Sequence, residues 1–348
     1  MTATATPAVR RTPLGVRLTA LVGFAVLLVV VLLASLAVGS NPIPFGDVWR
    51  YLTRPDGSFE AIVIAEQRVP RSLLIVLVGA ALGVSGALMQ SLTRNPLADP
   101  GILGINAGAS LAVVLAVALL GIANIWFYLW FAFAGAALAA VLVYVLGAMG
   151  GTNAGGGGAT PVRLALAGVA ITMAVSSLVQ TVILSNQHAY NEFRLWAAGS
   201  AEGRGYPILW AILGFVAVGL LLAFALAPSL NALALGEDTG RALGVRVART
   251  RALVMIAVTL LAGAATAAVG PIAFVGLGVP YLARAICGPD QRWVLPYSVV
   301  MAPTLLLAAD VLGRVIIAPQ EVQVGIIAAI LGGPAFVAIA RRRRIEAL

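Results

Sequence analysis

Two groups of residues in this chain have types and spacing suited to polar recognition. Arg68-Val69-Pro70-Arg71 sets two arginines three residues apart, and Asp310-x-x-x-Arg314 sets a third beside an acid. A guanidinium presents a planar fork of donors that matches a carboxylate bidentately, so arginines at fixed positions recognise acids with defined geometry. The acids can belong to another protein meeting these arginines at an exposed rim. They can also be internal, with Asp310 serving Arg314 at i,i+4 and Glu66 serving Arg71. The second group runs Leu233-Ala234-Leu235-Gly236-Glu237-Asp238-Thr239-Gly240-Arg241-Ala242-Leu243-Gly244. Leucines backed by charges, with Gly236, Gly240 and Gly244 as turn points, suit two short helices offering a ridge to a soluble protein. An interfacial helix resting on anionic lipid is the competing reading.

Other chemistries find no residues. His188 is the only histidine and Cys287 the only cysteine, so neither a metal cluster nor an internal disulfide is available. His188 reads as a solvated surface residue and Cys287 as a small apolar helix residue. The chain holds 22 arginines and no lysine, so it carries no P-loop, which needs a Gly-Lys-Ser/Thr. No span centres two acids, which argues against a proton- or sodium-coupled carrier.

The elements that position these residues must be membrane helices. The hydrophobic fraction is 61% and charged residues make up 10%, where soluble domains carry about 25% charged residues. Apolar spans fit at residues 18–38, 72–92, 102–120, 126–149, 163–184, 207–227, 252–269, 271–286, 296–312 and 324–340. Arg10, Arg11 and Arg17 precede the first, whose length exceeds a signal peptide's apolar core, so it is expected to be retained with a cytoplasmic N-terminus. Alternating sides from there places 15 arginines inside and 7 outside, as the positive-inside rule demands.

Between the spans, residues 41–66 read as an outside loop. A short surface helix is expected around Arg194–Ser200 outside, and residues 228–251 read as an amphipathic inside connection. Gly150 to Gly158 reads as a glycine-rich inside hinge. Gly79/Gly83, Gly104/Gly108 and Gly263/Ala267 have the small-xxx-small spacing that lets backbones approach in lipid. The run Gly270-Pro271-Ile272-Ala273-Phe274-Val275-Gly276-Leu277 breaks an apolar segment, which hydrocarbon tolerates only where protein or a water-filled path receives the freed backbone groups.

These motifs carry a resemblance. Arg68-Val69-Pro70-Arg71-Ser72, Arg94-Asn95-Pro96-Leu97-Ala98-Asp99-Pro100-Gly101, Ala234-Leu235-Gly236-Glu237, Gly270 to Leu277 and Gly333-Pro334 resemble, in order and over about 330 residues, the permease subunits of type II ABC importers for iron–siderophores, haem and cobalamin. The resemblance implies an all-α integral membrane fold of about ten helices, a single permease domain over residues 1–348, with short coupling helices and both termini on the cytoplasmic side. It implies a second permease subunit, the same chain or a sister, and two ATP-binding subunits that hold ATP-Mg. No cofactor is then bound by this chain and no reaction is catalysed by it. An external binding protein would dock on Arg68, Arg71 and Arg314. The ATPase would couple through Leu235, Gly236, Glu237, Asp238, Arg241, Leu243 and Gly244, flanked by Arg94, Asn95 and Pro96. The fifth span, its outer short helix and the tenth span would line the path and the dimer interface, and Ala159, Thr160 and Pro161 would sit at the inner gate.

Two departures stand out. Such permeases commonly have Pro-His where this chain has Pro280-Tyr281, and Glu-Leu-Pro-x-Gly where it has Glu321-Val322-Gln323-Val324-Gly325. Gln323 removes a rigid bend before the tenth span. The implied function is uptake of a ferric siderophore across a bacterial plasma membrane, with haem or cobalamin as alternative cargo. Membrane lipid is a further partner, and nucleic acid is none. A stand-alone secondary transporter would take up substrate without ATP and ignore changes in the 236–244 loop; a membrane enzyme would need a catalytic cluster.

Overall fold

The computed structural model describes residues 13–149 and 160–342. Arg10, Arg11, Arg343, Arg344, the hinge at 150–158 and Ala159 lie outside the described residues. The described helices are α1 (Leu14–Ala37), α2 (Phe45–Thr53), α3 (Phe59–Ile62), α4 (Val69–Thr93), α5 (Ile105–Leu120), α6 (Ile125–Met149), α7 (Pro161–Ser185), α8 (Gln187–Ala197), α9 (Tyr206–Ala234), α10 (Glu237–Ala242), α11 (Val247–Val269), α12 (Val275–Cys287), α13 (Gln291–Val315) and α14 (Val324–Arg342). Each of the ten expected spans is a helix. Seven are long and apolar enough to cross a membrane; Ile105–Leu120, Val275–Cys287 and Val324–Pro334 are shorter apolar helices.

Burial divides the spans. The apolar stretch of Phe59–Thr93 is 83% buried and that of α11 72%, against 11% for α1 and 17% for α7. Small residues explain the tight centre. A Cβ on Gly79 would sit 2.6 Å from the Pro303 Cα, and one on Gly83 2.6 Å from the Ala302 Cβ. Any larger residue at either position forces α4 away from α13. Gly108 meets the Gly135 carbonyl across α5 and α6 in the same manner, whereas Gly263 makes only ordinary contacts with Phe133 and Ala136.

The outside connection at 41–66 is more ordered than its prolines and acids suggested. Ser58 accepts the Ala61 N–H at 3.3 Å and starts α3. A π-helical stretch, Val63–Arg68, then joins α3 to α4, so one continuous helical run covers Phe59–Thr93. π-Helical insertions often mark functional sites because they re-aim side chains; here Arg68 closes the insertion and Arg71 follows one turn on. The outer surface helix also starts earlier than expected, at Gln187, because the Asn186 side chain accepts the Ala189 N–H at 2.9 Å. Pro228 does not end α9, which continues to Ala234.

Candidate functional site

The structure brings Arg68, Arg71 and Arg314 together in the wall of one outer cavity of about 220 Å³, which Gly39, Phe59 and Glu321 also line. They do not form the expected exposed rim. Arg68 is 7% exposed and Arg314 2%. Arg68 donates through Nη1 to the Leu36 carbonyl at 2.7 Å and the Ala37 carbonyl at 2.9 Å, and through Nη2 to the Asn41 carbonyl. It thereby satisfies last-turn carbonyls of α1 that have no partner within their own helix.

Arg71 does not pair with Glu66. Its Nε and Nη2 donate to Asp310 Oδ1 at 3.1 and 2.7 Å, and its Nη1 to Glu321 Oε2 at 2.7 Å. Arg314 donates to the Ser35 carbonyl at 2.9 Å and to Asp310 Oδ2. Asp310 is therefore a bridge, with one oxygen for each arginine, and Ser35 with Ser72 closes the ring of polar groups at 2.5 Å. Desolvated charges are tolerated only when paired and hydrogen-bonded, and this network meets that condition for Arg71 and Arg314. Arg68 alone of the three has no carboxylate partner among the described residues. Glu321 and the bridging role of Asp310 had no sequence signal: their partner Arg71 lies 250 and 239 residues away.

On the inner side, one short helix forms where two were expected. α10 spans six residues between Gly236 at φ +113° and Gly244 at φ +85°, conformations that L side chains rarely adopt. Gly240 lies within α10 and packs on Leu233. Beyond Val245 the chain turns directly into α11. Leu230 and Leu233 point into the bundle, while Leu235 and Leu243 are 68% and 62% exposed. The ridge is thus two leucines, one at each end of α10. Glu237 accepts from Arg251 and, at 3.3 Å, from Arg241; Asp238 accepts from Arg241 at 2.9 Å. Glu237 therefore braces the turn internally besides presenting charge.

Arg94, Asn95 and Pro96 join this surface. Arg94 adopts the left-handed conformation at the end of α4 and donates to the Leu233 carbonyl at 2.8 Å. Asn95 caps no helix: its Oδ1 accepts the Leu97 N–H at 2.9 Å in a local turn. The cap is Asp99, whose Oδ1 accepts the Gly101 N–H at 2.7 Å at the start of the 3₁₀ turn Pro100–Leu103. Burial pushes the Asp99 carboxyl above its ordinary value, with the Gly101 N–H pulling the other way.

Thr160 and Pro161 open α7, Thr160 as an N-cap without a side-chain bond and Pro161 at the first helical position. Ser176, Ser177, Gln180 and Thr181 are exposed along α7 beside Met173 and Leu178. Polar side chains at such depth face protein or water in preference to lipid. Tyr281 and Gln323 sit at the two departures; the Gln323 carbonyl accepts the Ile326 N–H at 3.0 Å and starts α14 without the proline.

The sequence profile of the FecCD transport family matches residues 27–342. The chain belongs to the FecCD transport family. Among curated relatives, the ferric enterobactin transport system permease protein FepD of Escherichia coli (strain K12) is 43% identical over 327 residues, covering 94% of this chain and 96% of that protein. The Fe(3+)-citrate import system permease protein YfmD of Bacillus subtilis (strain 168) is 41% identical, with 89% and 90% covered. The hemin transport system permease protein HmuU of Yersinia pestis is 35% identical, with 93% and 96% covered. A solved metal-chelate type ABC transporter in an inward-facing conformation superposes with a TM-score of 0.81 at 26% identity, covering 93% of this chain and 99% of that one. This FecCD chain is thus a multi-pass membrane permease with the type II ABC importer fold.

Proposed function

We propose that this permease is the membrane subunit of an ATP-driven importer that takes up a ferric siderophore across a bacterial plasma membrane. The observation that carries the reading is the near full-length match to the ferric enterobactin permease. Two permease subunits, identical or sister, frame the path, and two partner ATPases hold ATP-Mg below. The exposed Leu235 and Leu243, with Gly236, Glu237, Asp238, Arg241 and Gly244 shaping the turn, contact the ATPase. Arg94, Asn95 and Pro96 brace that contact from α4. The pocket of Arg68, Arg71 and Arg314 receives an acidic side chain of the external binding protein, and Arg68, which has no carboxylate partner among the described residues, is its main counter-charge. Thr160 and Pro161 stand at the inner gate, and the exposed polar side of α7 faces the path.

The test is uptake into proteoliposomes holding the permease, its ATPase and its binding protein. Ferric enterobactin should accumulate only with ATP inside the nucleotide-accessible compartment and only with binding protein on the other face. Uptake of haem in preference would move the cargo to the second reading, which the hemin permease relative supports. Uptake without ATP would remove the importer reading altogether.

A further inference from the structure

Arg246 and Arg249 play no part in the network of the coupling turn. Both are exposed, and among the described residues neither forms an ion pair, whereas Arg241 and Arg251 on either side are held by Glu237 and Asp238. With Ser229 and Thr250 they border a cavity of about 460 Å³ between the inner end of α9 and the start of α11. Arg246 is also the N-cap of α11 and makes no side-chain bond to its first turn, so first-turn N–H groups add to the positive lining.

One turn further along α11 a second cavity begins, of about 330 Å³, between α6 and α11. Ala252 and Ile256 form one wall; Phe133, Ala140, Val141 and Tyr144 form the other. The helix from Phe133 to Tyr144 rises roughly 16 Å. That is about half of a bilayer's ~30 Å hydrocarbon thickness. Arg249 precedes Ala252 by three residues and Ile256 by seven, so on α11 the arginine lies on the same side as the wall of the apolar groove.

We propose that the two cavities form one binding site for an anionic phospholipid. Its phosphate lies between Arg246 and Arg249 with Ser229 and Thr250 as further donors, and one acyl chain lies along the α6–α11 groove. A free phosphate would leave the groove empty. An acidic loop of a soluble partner could reach the arginines but not a groove within the hydrocarbon layer. A zwitterionic lipid brings its own cation and gains less from two unpaired guanidiniums. The lipid would brace the α9–α11 junction from which Leu235 and Leu243 project.

The test is native mass spectrometry of the full chain in detergent, titrated with phosphatidylglycerol and phosphatidylcholine of the same acyl chains. Phosphatidylglycerol should be retained roughly tenfold more, and Arg246→Gln with Arg249→Gln should abolish that preference. Ile256→Gln should weaken retention of both lipids, and dihexanoyl phosphatidylglycerol should bind more weakly than the long-chain form. Thermal unfolding of each variant separates these effects from misfolding. The proposal is overturned if both lipids are retained equally, or if inorganic phosphate competes as well as phosphatidylglycerol. It is also overturned if the arginine variants keep the lipid and lose only the ATPase.

Discussion

The outer pocket and the inner ridge use opposite physics for contact. Outside, three arginines are withdrawn from solvent, two of them locked to Asp310, and the cavity they line is small, walled by polar and apolar groups alike. Inside, Glu237, Asp238 and Arg241 pair with one another or with Arg251 around the turn, and Leu235 and Leu243 are its exposed apolar groups. A recessed charge pocket suits a partner that must find its seat quickly and leave, because charge complementarity acts most on association rate. An apolar ridge suits a partner that stays, because burying it gives a contact insensitive to salt. On the proposed function, the same chain would then offer one transient and one lasting interface.

The comparison breaks most severely at Asp310. Asp310→Ala leaves two buried guanidiniums without their shared acceptor, and removing one partner of a buried pair costs about 3–5 kcal/mol. The expected result is loss of folded protein, read by thermal unfolding and membrane yield. A variant of wild-type stability would show that the network is not holding α4 against α13. The next largest effect belongs to the ridge. Leu243→Asp, at an exposed site, should abolish copurification of the ATPase and ATP-driven uptake while unfolding temperature stays within a degree or two. Retained copurification would remove the lasting interface from the account.

Glu237→Gln sharpens the distinction. Because Glu237 holds Arg251 and Arg241, the change should lower stability measurably and coupling partly, less than Leu243→Asp does. Coupling lost with stability untouched would mean Glu237 acts on the partner alone. Asp99 should give the smallest effect. Asp99→Ala removes a cap at a cost of about 1 kcal/mol, while Asp99→Asn keeps an acceptor oxygen. The folded carboxyl is held above its ordinary value. The folded state therefore binds more protons than the unfolded one over the window starting at that ordinary value, and stability falls as pH rises through it. Asp99→Asn should flatten that dependence, as measured by unfolding across a pH series.

Much of this was legible from local pattern. Apolar runs, some broken by glycine, proline or a charge, marked every span, and Gly79/Gly83 marked a close-packing face on α4 without naming α13, because both signals lie within one segment. Glycines at 236 and 244 marked a turn, since positive φ leaves its trace in residue type. The pocket was legible only in part. Arg68, Arg71 and Arg314 stood out as arginines on an outer face. Their recession did not, because it depends on α1 carbonyls and on acids hundreds of residues away. The cap at Asp99 was not legible: the side chain that starts the 3₁₀ turn is set by the backbone path into Pro100. Arg246 and Arg249 looked like topology markers until Glu237 was seen to hold their neighbours.

On the proposed function, the outer pocket seats an acidic side chain of the binding protein. That seating is tested most directly by the affinity of binding protein for the permease–ATPase complex in nanodiscs, measured across a salt series. Three forms are compared: wild type, Gly39→Leu, and Arg50→Gln with Arg54→Gln. Gly39 lines the pocket with its Cβ position 3.2 Å from Arg68 Nη2, so leucine there plugs the cavity without removing an ion pair. Arg50 and Arg54 are exposed arginines of the same face outside the pocket. The account predicts an affinity that falls with salt, screened over a Debye length of about 8 Å at physiological ionic strength, that drops at least tenfold in Gly39→Leu and barely changes in the Arg50/Arg54 variant. Salt-independent affinity, or loss in the Arg50/Arg54 variant with Gly39→Leu unaffected, would contradict it.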